Sequence, residues 1–361
     1  MFDLDLIPDG GISWLDASGP DGIVVLSTRV RLARNLAGRV FPGRAKDDER
    51  RSLLEGILDA GRNTSAFREA TVIRLESLEP PERQLLHERH LVSKELANLE
   101  QSERPKRLGA ALMTNGVVGM MVNEEDHLRL QCLRSGFALP EAYEALKQLD
   151  HELGRELSFA FHPEFEYLTS CPTNASTGLR ASLLIHLPGL VLTREIGRVL
   201  QGLSQVGLTF RGLYGEGSDV VGNFFQLSNQ TTLGKSEADL LEHLGTMVRK
   251  VIEYEEEARR RLQRDAPVVI ADKVWRAYGI LRHARSLSFD ETMNLLSGVR
   301  LGVGLSLISS LSVYTLNKLL IFTQPAHLAH RTGRDVGDPE LPSIRADYVR
   351  RLLDEDAGRA A

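Results

Sequence analysis

AALMTNGVVGMMVNEEDHLRLQCLRSG, residues 110–136, is the stretch that decides the fold. Two apolar runs flank Asn115-Gly116, a dipeptide suited to the two-residue type I′ turn of a β-hairpin. A third apolar run follows at 128–133, so the segment predicts three successive strands. Working outward, IVVLSTRVRLARNL (23–36) and TVIRLESL (71–78) read as strands, as do LRASLLIHLPGLVL (179–192) and VGNFFQLSN (221–229). The patterns at 48–63, 82–96, 141–157 and 193–207 are helical. Residues 1–21 form an irregular lead-in.

From Ser236 the texture changes. Residues 236–265 carry one long helical pattern opened by a Ser-x-x-Asp cap, and helical segments with almost no strand signal follow Ala266-Pro267. The expected fold class is α+β: a mostly antiparallel sheet flanked by helices, followed by a C-terminal helical domain. We expect a catalytic domain at 1–258 and a helical domain at 259–361. The apolar run LLSGVRLGVGLSLISSL (295–311) should be buried, either internally or by a partner chain, which makes a homodimer the expected assembly.

Bulk properties exclude several classes. The chain of 361 residues has a formal net charge of −5, which gives no general reason to bind nucleic acid or an anionic membrane. It has two cysteines, Cys132 and Cys171, which rules out a disulfide scaffold and fits a reducing compartment. There is no 18-residue apolar run, and the N-terminus is acidic. The expected location is cytoplasmic, with no membrane contact.

Four segments carry chemistry. Alternation along a strand puts Arg29 and Arg31 on one face, where they repel unless an anion such as a polyphosphate lies between them; the plain alternative is a solvated edge. Glu124, Glu125 and Asp126 cluster at a strand end, where loops present functional groups; an acidic turn is the alternative. Cys171 precedes proline in a polar loop, where nearby cations would favour its thiolate; a small packed residue is the alternative. RGLYGEG (211–217) is a glycine-rich loop carrying Arg211 and Glu216, and the alternative is a plain surface loop. Two further patterns are decoys. Asn229–Ser236 lacks the first glycine of a P-loop, and the His87 and His90 pair lacks zinc-site spacing and a third ligand.

Together, STRVRLARNL (27–36), NEEDHLRL (123–130), CPTNASTGLRAS (171–182) and RGLYGEG (211–217) resemble the phosphagen (guanidino) kinase family in content, order and spacing. The resemblance covers roughly residues 23–255. Within the family it is greatest to the bacterial enzymes that act on arginine in proteins. In those, as here, the arginine-rich strand comes early and a helical domain follows; LLSGVRLGVGL (295–305) and FTQPAHL (322–328) are similar too.

The resemblance implies transfer of the γ-phosphate of ATP, with Mg²⁺ held by phosphate oxygens and water, to a guanidinium of a substrate protein bearing exposed arginine. It implies Glu125 as principal base with Glu124 beside it, Glu216 as second carboxylate and Cys171 near the guanidinium. Arg29, Arg31, Arg129, Arg180 and Arg211 would bind phosphates, Arg89 would add a contact, and His90 would pack on adenine. A stress or protein-degradation role, an activator protein and a protease or unfoldase partner are implied as well. Two departures stand out. Tyr214 replaces a second loop arginine, so Arg211 must serve, and Asp219 aligns with the catalytic glutamate of the small-guanidino kinases, which makes it a rival to Glu216. Leu341-Pro342 stands where related enzymes carry an Arg-Asp pair for phosphoarginine, although Arg345 is kept. The alternatives are a kinase for free arginine or another small guanidino compound, and an adaptor or pseudokinase that delivers clients to a protease.

Overall fold

The computed structural model describes residues 7–97, 108–213, 220–230 and 232–360. The first half runs β1 (Val25–Arg34), α1 (Asp47–Arg62), β2 (Thr71–Arg74), α2 (Pro80–Glu88), α3 (Lys94–Ala97), β3 (Ala111–Thr114), β4 (Val118–Val122) and β5 (Leu128–Ser135). Then come α4 (Leu139–Glu156), β6 (Phe161–His162), β7 (Glu166–Tyr167), β8 (Leu179–His186), α5 (Pro188–Leu192), α6 (Ile196–Gln205), β9 (Leu208–Arg211) and β10 (Phe224–Asn229). Helices complete the chain: α7 (Glu237–Asp265), α8 (Pro267–His283), α9 (Phe289–Gly304), α10 (Val313–Phe322), α11 (Pro325–Thr332) and α12 (Leu341–Ala360).

Eight strands form one sheet in the order β2-β3-β4-β5-β1-β8-β10-β9, antiparallel at every pairing. One face is the main core. Val30, Leu32, Leu130, Cys132, Ala181 and Leu183 meet apolar residues of α1, α4 and α7 there. The other face is covered at both ends. Ile73, Leu112 and Met121 lie under the α2–α3 region, and Leu184 and Phe224 share a core with the C-terminal helices. Arginines occupy the middle of that face.

Several local expectations need correction. At the β3–β4 turn only Gly116 has a positive φ, 90°. Asn115 N–H donates to the Val118 carbonyl at 3.1 Å, so Gly116-Val117 forms the tip, the glycine-first arrangement of type II′ rather than type I′. Asn115 Oδ1 instead accepts from the amides of Val117 and Val118 at 3.1 and 2.8 Å. The helix expected over 82–96 breaks after Glu88, because His90 adopts a left-handed φ of 60°. Gln131 Nε2 stabilises the break by donating to the carbonyls of His90 and Leu91 at 3.2 and 2.9 Å. The strand expected over 179–192 ends at His186, and Pro188 opens a short helix whose Gly189 and Leu190 amides donate to the buried Glu255 carboxylate at 2.9 Å each. Strand β9 follows the helix expected at 193–207, and its four residues are too few to show a strand pattern in the sequence.

The cap at Ser236 is as expected: its hydroxyl accepts from Asp239 N–H at 3.2 Å. The 295–311 run is buried internally, in the core of the C-terminal helices. A Cβ at Gly302 would lie 2.3 Å from Val274 Cγ1, so glycine permits α9 to close on α8. Among the described residues no helix is long and apolar enough to cross a membrane.

Candidate active site

Strand register, more than any single motif, builds the site. Directly opposed residues in adjacent antiparallel strands project to the same side of a sheet. Arg31 lies opposite Arg180 on β8, and Ala33 opposite Arg129 on β5. Arg29 faces Ser182, which faces Ser228, two residues from Gln226, itself opposite Arg211. Parity therefore puts Arg29, Arg31, Arg129, Arg180 and Arg211 on one face.

The electrostatics of this face are those of an anion site. Burial and the charges of Arg129 and Arg180 pull the Arg29 guanidinium down to about 10. Burial and the three neighbouring arginines push Arg31 well below its ordinary value, against a weaker pull from Glu124. Arg31 Nε is buried with no hydrogen-bond partner among the described residues. A buried donor in a cluster of like charges is costly until an anion arrives, and guanidinium forks suit phosphate oxygens. These residues fit the phosphates of ATP.

The acidic turn sits at the end of β4 and β5. Asn123 takes φ 56° and anchors it, donating to the carbonyls of Arg50 and Gly109 at 3.0 and 2.8 Å. Glu124 is buried and accepts from Arg129 Nη1 at 2.8 Å on each oxygen. Burial alone would raise this carboxyl, but Arg129 and its hydrogen bonds hold it at about 2. Glu125 is half-buried, and burial and the Glu124 charge raise its carboxyl. A raised, accessible carboxylate has the properties of a base, whereas Glu124 is committed to its arginine.

Asn35 joins the turn to the Cys171 loop. Its Nδ2 donates to Asp126 Oδ1 at 2.5 Å and to the Leu168 carbonyl at 3.2 Å, and its Oδ1 accepts from His127 N–H at 2.9 Å. Ser170 completes the link, its amide donating to Asp126 at 2.6 Å and its hydroxyl to the Glu125 carbonyl at 2.8 Å. Cys171, next in the chain, is partly exposed with Sγ 3.0 Å from Thr173 Oγ1. Asn35, Asp126 and Ser170 thus position two of the expected catalytic residues. Asn35 lies within STRVRLARNL (27–36), but only the folded contacts reveal its role. His127 is structural: its Nδ1 accepts from Leu36 N–H at 3.2 Å, and burial lowers it to about 4.

The structure separates Arg89 from His90. His90 lines a shallow pocket with Arg29, Ser182, Leu213 and Gln226, and packs edge-on to Trp14 with ring centroids 5.4 Å apart. Arg89 is buried and turned toward the C-terminal helices, with Nε donating to His327 Nε2 at 3.1 Å and Nη1 to the Gly10 carbonyl. Glu216, its rival Asp219 and Tyr214 lie outside the described residues. Arg345 is buried and donates to the carbonyls of Thr323 and Leu287 at 2.7 and 2.9 Å. Among the described residues no group of three or more His, Cys, Asp or Glu side chains could hold a metal ion.

An antiparallel sheet that aims five arginines along one face, with paired glutamates at its end, defines a phosphagen-kinase catalytic unit. The chain belongs to the ATP:guanido phosphotransferase family, whose C-terminal catalytic domain matches residues 55–258. Residues 267–360 match the protein-arginine kinase McsB C-terminal domain. A protein-arginine kinase from Pelotomaculum thermopropionicum is 42% identical over 341 residues, 94% of each chain. Among solved structures, a lombricine kinase aligns with TM-score 0.56 and 25% identity over 69% of this chain and 71% of its own. A duplicated taurocyamine kinase from Schistosoma mansoni aligns with TM-score 0.54 and 25% identity over 71% of this chain; the match spans 35% of that chain.

Proposed function

We propose that this protein transfers the γ-phosphate of ATP to arginine side chains of substrate proteins. The observation that carries the reading is the arginine face ending at the Glu124–Glu125 turn, in a chain similar along its length to a protein-arginine kinase. An arginine guanidinium is protonated and a poor nucleophile. In this reading Glu125 orients it and takes the proton as a terminal nitrogen attacks phosphorus. The P–N bond forms as the bond to the ADP oxygen breaks. Arg29, Arg31, Arg129, Arg180 and Arg211 neutralise the phosphates before and during transfer. Glu124 holds Arg129 in place, and Glu216 and Cys171 serve the acceptor. Bound through the phosphate oxygens of the nucleotide, Mg²⁺ would supply further charge neutralisation beside these arginines. His90 faces the nucleotide side, whereas Arg89, bonded to His327, acts as a tie to the C-terminal helices.

We extend the reading to a 1–258 catalytic domain, a 259–361 helical domain that forms a homodimer, and a cytoplasmic quality-control role with an activator and a protease partner. Exposed Trp275 and Val268 on α8 support the homodimer; the other extensions rest on family resemblance. Incubation with Mg-ATP and casein, followed by mass spectrometry that preserves acid-labile phosphate, tests the central claim. Phosphoarginine in casein supports it. Phosphate on free arginine alone favours the small-guanidino alternative, and no transfer at all favours the adaptor.

A further inference from the structure

A cleft of about 690 Å³ lies beside α4, lined by Leu32, Tyr143, Phe159, Phe161 and Tyr167 among others. It opens on the side of β1 opposite the arginines, since Leu32 and Arg34 alternate with Arg29 and Arg31. Its charges are mixed. Arg34 is bonded to Asp150 at 2.8 Å and stacked over the Tyr167 ring at 3.6 Å, while Lys147, Arg155 and Glu237 stand around the wall. Arg34, Lys147 and Arg155 are met by Asp150 and Glu237, and the rings of Tyr143, Phe159, Phe161 and Tyr167 supply the apolar part of the wall.

Phe161 is 57% exposed and Phe165 45% exposed, on and between the strands of the β6–β7 hairpin. A lone exposed phenylalanine needs no explanation, but Phe161 lines the cleft, Phe165 stacks on His162 in the same hairpin with ring centroids 5.1 Å apart, and the hairpin is wired to the acceptor side. Ala160 N–H donates to the Asn35 carbonyl at 2.7 Å, and Leu168 N–H to the Ala160 carbonyl at 2.9 Å. Tyr167 and Ser176 exchange backbone hydrogen bonds of 3.0 and 3.3 Å, closing the base of the loop that carries Cys171. The hairpin and the Glu125 turn thus hang on the same residue, Asn35. Val40, 48% exposed, adds an apolar surface by the same turn, its carbonyl 3.1 Å from His127 Nε2.

We propose that the β6–β7 hairpin and its cleft are the docking surface for the substrate polypeptide. An extended segment of the substrate lies across Phe161 and Phe165, and an apolar side chain a few residues from the target arginine enters the cleft. The inference rests on the protein-arginine reading: the hairpin is joined through Asn35 to the Glu125 turn, where that reading places the target arginine. Its selectivity is for arginines with aromatic or aliphatic neighbours, as in unfolded protein.

The test uses two peptides with one arginine each, one carrying leucine and phenylalanine two to four residues away and the other glycine and serine there. Wild-type enzyme should favour the apolar peptide in kcat/KM by about tenfold or more, the typical effect of burying aromatic anchors. The Phe161→Ser/Phe165→Ser double variant should lose that preference through KM, with kcat and the ADP-induced thermal shift unchanged. A preference retained by the variant, or absent from the wild type, overturns the docking surface. If the wild type phosphorylates arginine in neither peptide nor casein, the kinase reading itself falls, and the casein result separates that failure from failure of the surface alone.

Discussion

Glu124 and Glu125 are neighbours with opposite commitments: the first gives both carboxylate oxygens to Arg129 Nη1 at 2.8 Å, while the second is half-exposed and raised. Adjacent residues in a tight turn point apart, so one carboxylate can fix the phosphate side while the other meets the acceptor. Glu125→Gln should therefore lower transfer by about a hundred- to ten-thousandfold, the usual worth of a general base, and leave ADP binding intact. The substitution is nearly isosteric, so folding should not suffer. Single-turnover rates and ADP titration measure both effects. Near-normal transfer would move the base to Glu124 or Glu216.

Glu124 also links stability to pH. Its carboxyl lies at about 2 in the fold against an ordinary 4.5. A depressed carboxyl stabilises the fold fully above its unfolded value, and that contribution drains away as pH falls from 4.5 toward 2. At neutral pH it is on the order of 3 kcal/mol. Glu124→Gln should lose about this much near neutrality, and its unfolding curve should converge with the wild type in strong acid. Removing the Glu124 charge also lets Glu125 titrate lower, so the acid limb of the rate profile should move to lower pH. Urea unfolding and pH–rate measurements on the two proteins check both outcomes. A constant stability gap down to the acid limit would break the argument.

The sheet, the long capped helix and the arginine pair Arg29 and Arg31 were legible because each follows a local rule: alternation, a Ser-x-x-Asp cap, period two. Convergence of Arg129, Arg180 and Arg211 on that face was expected only by family resemblance. Register sets it, and register depends on pairings between strands distant in the chain. Arg89 was expected beside the nucleotide by resemblance; its tie to His327 was not legible because the two lie 238 residues apart in the chain. Asn115 misled because its side chain caps two amides, which competes with the positive φ that a type I′ turn asks of it.

Arg31 yields a paired prediction of opposite sign. Its guanidinium is buried among like charges, so Arg31→Met should leave the nucleotide-free protein as stable as wild type or more so. Affinity for ATP and ADP should nonetheless fall by about ten- to a hundredfold, since a charge-assisted hydrogen bond contributes about 1.5–3 kcal/mol. Thermal unfolding with and without ADP reads both quantities. A loss of stability without nucleotide, or unchanged ADP affinity, would remove Arg31 from the anion site.

The last prediction concerns the C-terminal helices. The 295–311 run is internal, so any dimer contact must lie elsewhere. Helix α8 offers one: Val268, Val269, Trp275 and Ile280 are 79%, 66%, 51% and 42% exposed. Val268, Trp275 and Gly279 recur at helical spacing along one side, and a Cβ built at Gly279 meets nothing within 4 Å. A large ring beside a small, open position suits an antiparallel, self-complementary contact in which each Trp275 packs at the partner's Gly279. Trp275→Glu should convert a dimer to a monomer while the exposed site leaves the fold intact. Leu296→Glu, in the core of the same domain, should unfold those helices instead. Light scattering with circular dichroism separates the two effects. A wild-type chain that stays monomeric at high micromolar concentration, or a Trp275→Glu variant that remains dimeric, would exclude this face as the interface.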